Sequence, residues 1–408
     1  MKVLFINTVF GRGSTGRLTK ELVEALTPQG FECYAAYGQG DTDYPGTFRI
    51  GTKMENHFHN AFYTRLLGLH GYGTRRGTRR LLMWIDQIEP DIIDLRNLHA
   101  NYLNYPMLFR YIVEKETPVV FSLFDCFNFT GKCSHFTAQG CYKWQTECHH
   151  CPLIHTTAPS LFFDNSRKIF REKKAFYTQI KNMAVVAGSK WQRGEVEKSI
   201  LAGNGHIVTH IYHWIDHDKF HRATQEEMDA FKRKYGLRAD RKYLISVSQG
   251  WDKRASRYQD AVRLARVLPE DYRLILVGHR AKGTSIEPPL IHIPYINGTK
   301  ELSAAYSMAE AYVHLSVEDT FGLVTAEAMC CGTVPVAFNS TACAEVGGPY
   351  GVGVEPHDVE GIVKALPRLE ELKKDAPKIV RYVRDNYDYQ TNTARYAALY
   401  RRLLAGKR

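Results

Sequence analysis

The chain has 408 residues, 44% of them apolar and 24% charged, with a net charge of +11. That length exceeds one hydrophobic core and sets an expectation of two domains. The composition excludes a disordered or fibrous chain, and no apolar run approaches the ~20 residues that span a bilayer.

The excess charge favours anionic partners such as phosphates or acidic lipid. It gathers in Arg75, Arg76, Arg79 and Arg80, in Lys173 and Lys174, and in Arg401, Arg402, Lys407 and Arg408. None of these clusters is interleaved with aromatics as a nucleic-acid platform would be. They read as a solvated helix face, or as a surface for anionic membrane or a phosphorylated acceptor.

Taken in order, KVLFINTVF reads as a buried first strand rather than a leader peptide. The glycine-rich GRGSTG follows, then a helix with Leu18, Leu22, Ala25 and Leu26 on one face, stopped at Pro28 and Gly30. FECYAAYG is a second strand, Arg79 to Ile88 a helix, and DIIDL and PVVFSLFD further strands. MAVVAGS, HIVTHIY, YLISVSQG, YRLILVG, LIHIPYI, AYVHLS and TVPVAFN are strand candidates in the second half, with YQDAVRLARVL, ELSAAYSMA and TAEAMCC as helices among them. Strands alternating with helices predict an α/β chain of two parallel sheets. The expected domains are 1–184, with a cysteine-rich insertion at 126–152, and 185–385; the segment 386–408 is expected to pack back on the first.

Gly11 to Gly16 spells G-x-G-x-x-G between a strand and a helix, and Asp41 falls near the end of the second strand. That pattern also fits an NAD-dependent enzyme, kept as a remote alternative. A glycine-rich loop at a helix start faces a phosphate-bearing ligand. The triplets Asp41-Thr42-Asp43 and Asp216-His217-Asp218 read as loop residues rather than metal ligands.

The most informative segment is SVEDTFGLVTAEAMCCGTVPV, residues 316–336. Asp319 and Glu327 flank a turn made by Phe321, Gly322, Leu323 and Val324. A helix opening after that turn aims its positive end at the turn, which suits an anion. The two acids there could accept hydrogen bonds from sugar hydroxyls.

This segment resembles the acid-x7-Glu signature of family 4 retaining glycosyltransferases. GSTGRL, AYGQG, NLHANYLN, FDCFNFTGKC, GCYKWQTECHHCP, SLFFDNS, SKW, IDHDKF and NSTACAEV extend the resemblance to a bacterial surface-polysaccharide branch over about residues 1 to 360. The resemblance implies a GT-B fold, two facing Rossmann-like domains with an interdomain cleft. It implies a UDP- or GDP-linked sugar donor, no cofactor for the chemistry, and a saccharide or lipid-linked oligosaccharide acceptor. A cytoplasmic enzyme visiting the inner membrane face fits that reading.

By the same resemblance Glu327 would hold the ribose hydroxyls, Asp319 or Glu318 the transferred sugar, and Arg254 the leaving diphosphate. Gly13 and Ser14 would meet donor phosphate or acceptor, Asp125 would serve the acceptor side, and Glu345 resembles a position near the donor base or ribose, or else caps the next helix. His99, at a strand end in the acceptor half, reads as a capped loop histidine or as a contact to the acceptor or transferred sugar. The chain departs from the family where Arg254-Ala255-Ser256 replaces Arg-Lys-Gly, with Arg257 or Lys253 as substitute cations. Leu95, Arg96, Phe124, His213 and Trp214 also replace the usual residues. The altered charge is expected on Arg254, Arg257 and Arg96. The other reading is a catalytically impaired protein that binds a sugar nucleotide or acts as a partner subunit.

Cys133, Cys141, Cys148 and Cys151 could supply four soft ligands to a structural zinc. Cys126 is expected in the core.

Overall fold

The computed structural model describes residues 1–406, leaving Lys407 and Arg408 outside. The chain forms two compact units, residues 1–212 joined by the segment from Gln390 onward, and His213–Tyr389.

In the first unit seven parallel strands are β1 (Lys2–Val9), β2 (Glu32–Gln39), β3 (Thr47–Arg49), β4 (Ile92–Leu95), β5 (Val119–Ser122), β6 (Met183–Ala187) and β7 (Ile207–His210), in the order β3-β2-β1-β4-β5-β6-β7. The helices are α1 (Gly13–Leu26), α2 (Lys53–Phe58), α3 (Arg75–Ile88), α4 (Tyr105–Lys115), α5 (Ser166–Tyr177) and α6 (Lys190–Glu197); α2 continues as a π-helix, His59–Leu66. Strands β4, β5 and β6 are buried along their whole length, as a parallel sheet covered on both faces requires. Helix α3 starts at Arg75, four residues before the expected Arg79. Its arginines are exposed while Leu81, Ile85 and Ile88 face the core. A Cβ on Gly77 would lie 2.5 Å from the Gly51 Cα, so this helix packs backbone to backbone there.

In the second unit the strands are β8 (Lys242–Trp251), β9 (Tyr272–Arg280), β10 (Ile291–Ile293), β11 (Ala311–His314), β12 (Val334–Phe338) and β13 (Val352–Val354), ordered β10-β9-β8-β11-β12-β13. Helices α7 (Gln225–Lys234), α8 (Ser256–Val267), α9 (Thr299–Met308), α10 (Leu323–Cys330), α11 (Val359–Lys373) and α12 (Ala376–Tyr387) cover it. The last helix, α13 (Tyr389–Ala405), lies with the first unit, where the Tyr400 hydroxyl donates to the buried Asp94 carboxylate.

The boundary expected at 184/185 is displaced. Strand β6 pairs with β5 (Val119↔Met183) and β7 with β6 (Ala184↔Ile207), so both complete the first sheet and the change of unit falls at Tyr212/His213. A buried parallel strand carries no mark of the sheet it joins; the register does.

Candidate active site

In an open parallel sheet a crevice forms beyond the carboxyl ends of the strands where the strand order reverses. In the second unit that point lies between β8 and β11. Strand β11 ends at His314, and the chain then loops through Asp319 to Gly322, which takes φ +96° to open α10. The loop is held by its neighbour after β12. The Asp319 N–H donates to Thr341 Oγ1 at 3.0 Å, its carbonyl accepts from Ala342 at 3.2 Å, and Ser340 donates to the Val317 carbonyl at 2.7 Å. One Asp319 carboxylate oxygen accepts the Phe321 N–H at 3.1 Å, which leaves the other 3.6 Å from His314 Nε2.

That separation is too long for a hydrogen bond, and the buried His314 Nε2 has no hydrogen-bond partner among the described residues. Its other ring nitrogen meets the Tyr312 hydroxyl at 3.1 Å. Burial lowers the His314 pKa, Asp319 opposes the shift and Arg257 adds to it, so the ring is neutral near pH 7. The Tyr312 hydroxyl is pushed well up, by burial first and then by the charges of Asp319 and Glu327. Both carboxylates therefore act on one phenol. Glu327 is largely buried, and the first N–H groups of α10 have no acceptor within the helix.

The two candidate arginines separate here. Arg254 is 84% exposed and binds Asp252 through Nη2 at 2.7 Å and Nε at 3.1 Å. An exposed pair of this kind is weakly held. Arg257, in the first turn of α8, is the cation whose charge reaches His314. Phe321 turns its ring into the core, edge-on to His213 and Tyr387, so only its backbone stays with the loop. Leu323 and Val324 form the first turn of α10, Glu318 borders Asp319, and Glu345 opens a short 3-10 turn beyond Cys343.

In the first unit the order reverses between β1 and β4. Gly13 begins α1 at φ +59° with open space on its Cβ side, and Ser14 is exposed beside it. His99 Nε2 lies 2.9 Å from Asp125 Oδ2, so two residues far apart in sequence meet beyond β4 and β5. Burial pushes the Asp125 carboxyl up, but His99 and the Phe127 N–H outweigh it and hold the carboxyl below its ordinary value. The His99 loop is clamped: Thr8 donates to the carbonyls of Asn97 and His99 at 3.0 Å, and Gln39 to that of Ala100 at 3.1 Å. A Cβ on Gly38 would stand 2.1 Å from the Tyr102 ring, which ties AYGQG to NLHANYLN. Beside this loop is a polar cavity of about 320 Å³ lined by Gln39, Arg49, Lys53, Asn56, Asn60 and Asn101.

Three comparisons bear on this geometry. The family described as "Glycosyl transferases group 1" matches residues 227–386, nearly the whole second unit. The chain is 27% identical over 207 residues (47% of this chain, 52% of the other) to an N-acetyl-alpha-D-glucosaminyl L-malate synthase of Bacillus anthracis, so it spans about half the length of that relative. It is 21% identical, over 85% of each chain, to an Escherichia coli protein named as a colanic acid biosynthesis glycosyl transferase. Among solved structures, Anabaena HepE in complex with UDP and glucose superimposes with a TM-score of 0.65 at 14% identity, over 98% of this chain and 99% of that one. The fold is therefore that of GT-B glycosyltransferases, with two Rossmann-like domains.

One expectation needs correction. Arg96 is no site cation. It is 1% exposed, bonded to Asp94 at 3.2 Å and Thr19 at 3.0 Å, and packed between Phe5, Phe124 and Tyr396. Burial opposes its charge, but the adjacent Asp94 carboxylate outweighs burial and raises its pKa. It serves as a buried counter-ion for Asp94.

The described residues also do not show the expected zinc site. Cys133, Cys141, Cys148 and Cys151 line one small cavity. Among the described residues, however, no group of three or more His, Cys, Asp or Glu side chains could hold a metal ion. Three of the four sulfurs are hydrogen-bonded. Cys148 accepts the Gly131 N–H at 3.2 Å, while the Cys133 thiol donates to Cys151, pulling the Cys151 pKa down to about 7. Cys126 is buried in the core.

Sequence reasoning missed His314, Tyr312 and Thr341. His and Tyr at the carboxyl end of a strand at the switch point were the available signal. A groove of about 580 Å³ between α7 and α9 of the second unit contains none of the site residues.

Proposed function

We propose that the chain is a family 4 retaining glycosyltransferase that moves a sugar from a UDP- or GDP-linked donor to a lipid-linked saccharide acceptor in surface-polysaccharide synthesis. The reaction would run in the cytoplasm, at the inner face of the membrane. The observation that carries this reading is Asp319, fixed by its neighbouring loop at the strand switch point beside the buried Glu327 and the open first turn of α10. The glycosyltransferase match to this unit and the names of the chain's relatives support it.

In this reading Glu327 accepts the ribose hydroxyls, while Asp319, Glu318 and the unpaired His314 nitrogen take hydroxyls of the transferred sugar. Breaking the bond from the anomeric carbon to the diphosphate leaves its electron pair on the phosphate oxygen and positive charge on the sugar. Arg257, with the α10 N-terminus, offsets that negative charge without a metal ion; Lys253, Arg254 and Glu345 stand at the margin. The acceptor hydroxyl attacks from the face the diphosphate leaves and gives its proton to the departing oxygen. No protein nucleophile is needed, and the anomeric configuration is retained. His99, oriented by Asp125, and the loop at Gly13 and Ser14 would receive the acceptor.

The test is proton NMR of the product formed from each nucleotide sugar with lipid-linked acceptors. Retained configuration at the new linkage is expected. Inversion would overturn the mechanism, and donor binding without transfer would mark a sugar-nucleotide-binding partner subunit instead.

A further inference from the structure

Helix α2 and the π-helix that continues it are built inside out. Their buried side is polar: His59 bonds to Thr74 at 2.9 Å and accepts the Gly71 N–H at 3.0 Å, Thr64 meets His70 at 3.2 Å, and Asn56 donates to the Gly38 carbonyl at 2.9 Å. The outward side is apolar. Met54 (80% exposed), Phe58 (56%), Phe62 and Leu66 recur every four residues, and the rings of Phe58 and Phe62 stack at 5.3 Å. A second exposed run, Leu161, Phe162 (69%) and Phe163, is tied to the end of this stripe. The Leu161 N–H donates to the Arg65 carbonyl at 2.8 Å, and Asn165 donates to the Leu67 carbonyl at 2.7 Å. Contiguous apolar surface contributed by two elements marks an interaction site rather than ordinary exposure.

The charge around it selects the partner. Residues 53–80 carry six cations, Lys53, Arg65, Arg75, Arg76, Arg79 and Arg80, against one carboxylate, Glu55. That carboxylate is engaged by the Thr52 and Gly77 N–H groups and by Arg80. Arg75 and Arg76 line the same concavity as Met54 and Phe58. Such a face repels a second copy of itself. It suits the headgroup layer of an anionic bilayer, where aromatic side chains enter the acyl boundary and each cation strengthens binding about five-fold.

We infer that the stripe Met54-Phe58-Phe62-Leu66, with Leu161–Phe163 and the rim of Lys53, Arg65, Arg75 and Arg76, docks the first unit on an anionic membrane. The face is independent of the donor site, and its readout is lipid binding rather than transfer.

The test is co-sedimentation of the full chain with vesicles of phosphatidylcholine alone or mixed equally with phosphatidylglycerol, alongside analytical ultracentrifugation without lipid. Selective binding to the anionic vesicles is expected, weakened at least ten-fold by Phe58→Ser/Phe62→Ser and by Arg75→Glu/Arg76→Glu, with unchanged thermal unfolding. Should the double Ser variant fail to fold, Phe162→Ser, in the neighbouring loop, carries the same expectation. Absence of binding to anionic vesicles, or undiminished binding by folded variants, would overturn the inference. So would a wild-type dimer that the Ser substitutions dissociate.

Discussion

Thr341 holds the backbone of Asp319 through a 3.0 Å hydrogen bond while itself standing in the left-handed region, at φ +52°. A non-glycine residue there is strained, and the strain persists because Ser340 and Ala342 on either side bond to the same loop. The loop after β12 thus sets the angle at which the Asp319 carboxylate is presented.

Removing only the hydroxyl should therefore cost activity more than stability. Thr341→Val is expected to lower kcat/KM roughly ten-fold, about 1.4 kcal/mol, and Thr341→Ser to restore it. The check is steady-state kinetics of both variants beside their melting curves.

Arg257 and Arg254 make a second contrast. The charge of Arg257 acts on His314, whereas Arg254 is committed to Asp252 in solvent. Arg257→Met is expected to lower turnover about 100-fold, the scale of losing one charge-stabilising group, and Arg254→Met less than five-fold. Parallel rate measurements on the two variants decide this, and equal losses would return the role to Arg254.

The alternation of strand and helix was legible because buried parallel strands such as MAVVA and VPVAF are apolar throughout. Asp319 and Glu327 were legible because a turn and a helix start lie between them. What sequence could not show was convergence. Thr341 reaches Asp319 across 22 residues, His99 reaches Asp125 across 26, and Tyr102 fills the space left by Gly38. Arg96 looked like an active-site cation because it follows the end of β4 directly, and its burial beside Asp94 leaves no trace in composition. The stripe at 54–66 has the period of a core-facing helix and is nevertheless the exposed side, since His59, Asn56 and Thr64 are satisfied within the fold.

The last helix should contribute to the stability of the first unit. Asp94 accepts from Tyr400, Ser122 at 2.9 Å and Arg96, all buried. Tyr400→Phe removes one bond to a buried charge and is expected to destabilise the fold by about 1.5–3 kcal/mol. Urea denaturation followed by tryptophan fluorescence measures it.

Lys173 gives a pH signature. It is buried, donates to the Phe127 carbonyl at 2.6 Å and the Thr130 carbonyl at 3.1 Å, and its Nζ lies 3.6 Å from the Phe127 ring centroid. Burial pulls its pKa from 10.5 to about 7, against the opposing charges of Cys148, Asp125 and Cys133. Between those values the unfolded chain binds a proton that the fold does not, so this residue makes stability rise with pH across that window. Lys173→Met should flatten the wild-type rise in melting temperature between pH 7 and 10 by several degrees. An unchanged slope in the variant would show that Lys173 stays charged.

The proposed donor site belongs to the second unit. Calorimetric titration of the full chain with UDP-, GDP- and dTDP-linked sugars, repeated on Glu327→Gln, tests it most directly. Selective binding of one nucleotide class, weakened at least 100-fold in the folded variant, is the predicted result. Equal binding by wild type and variant, or no binding of any nucleotide sugar by the folded wild type, would contradict it.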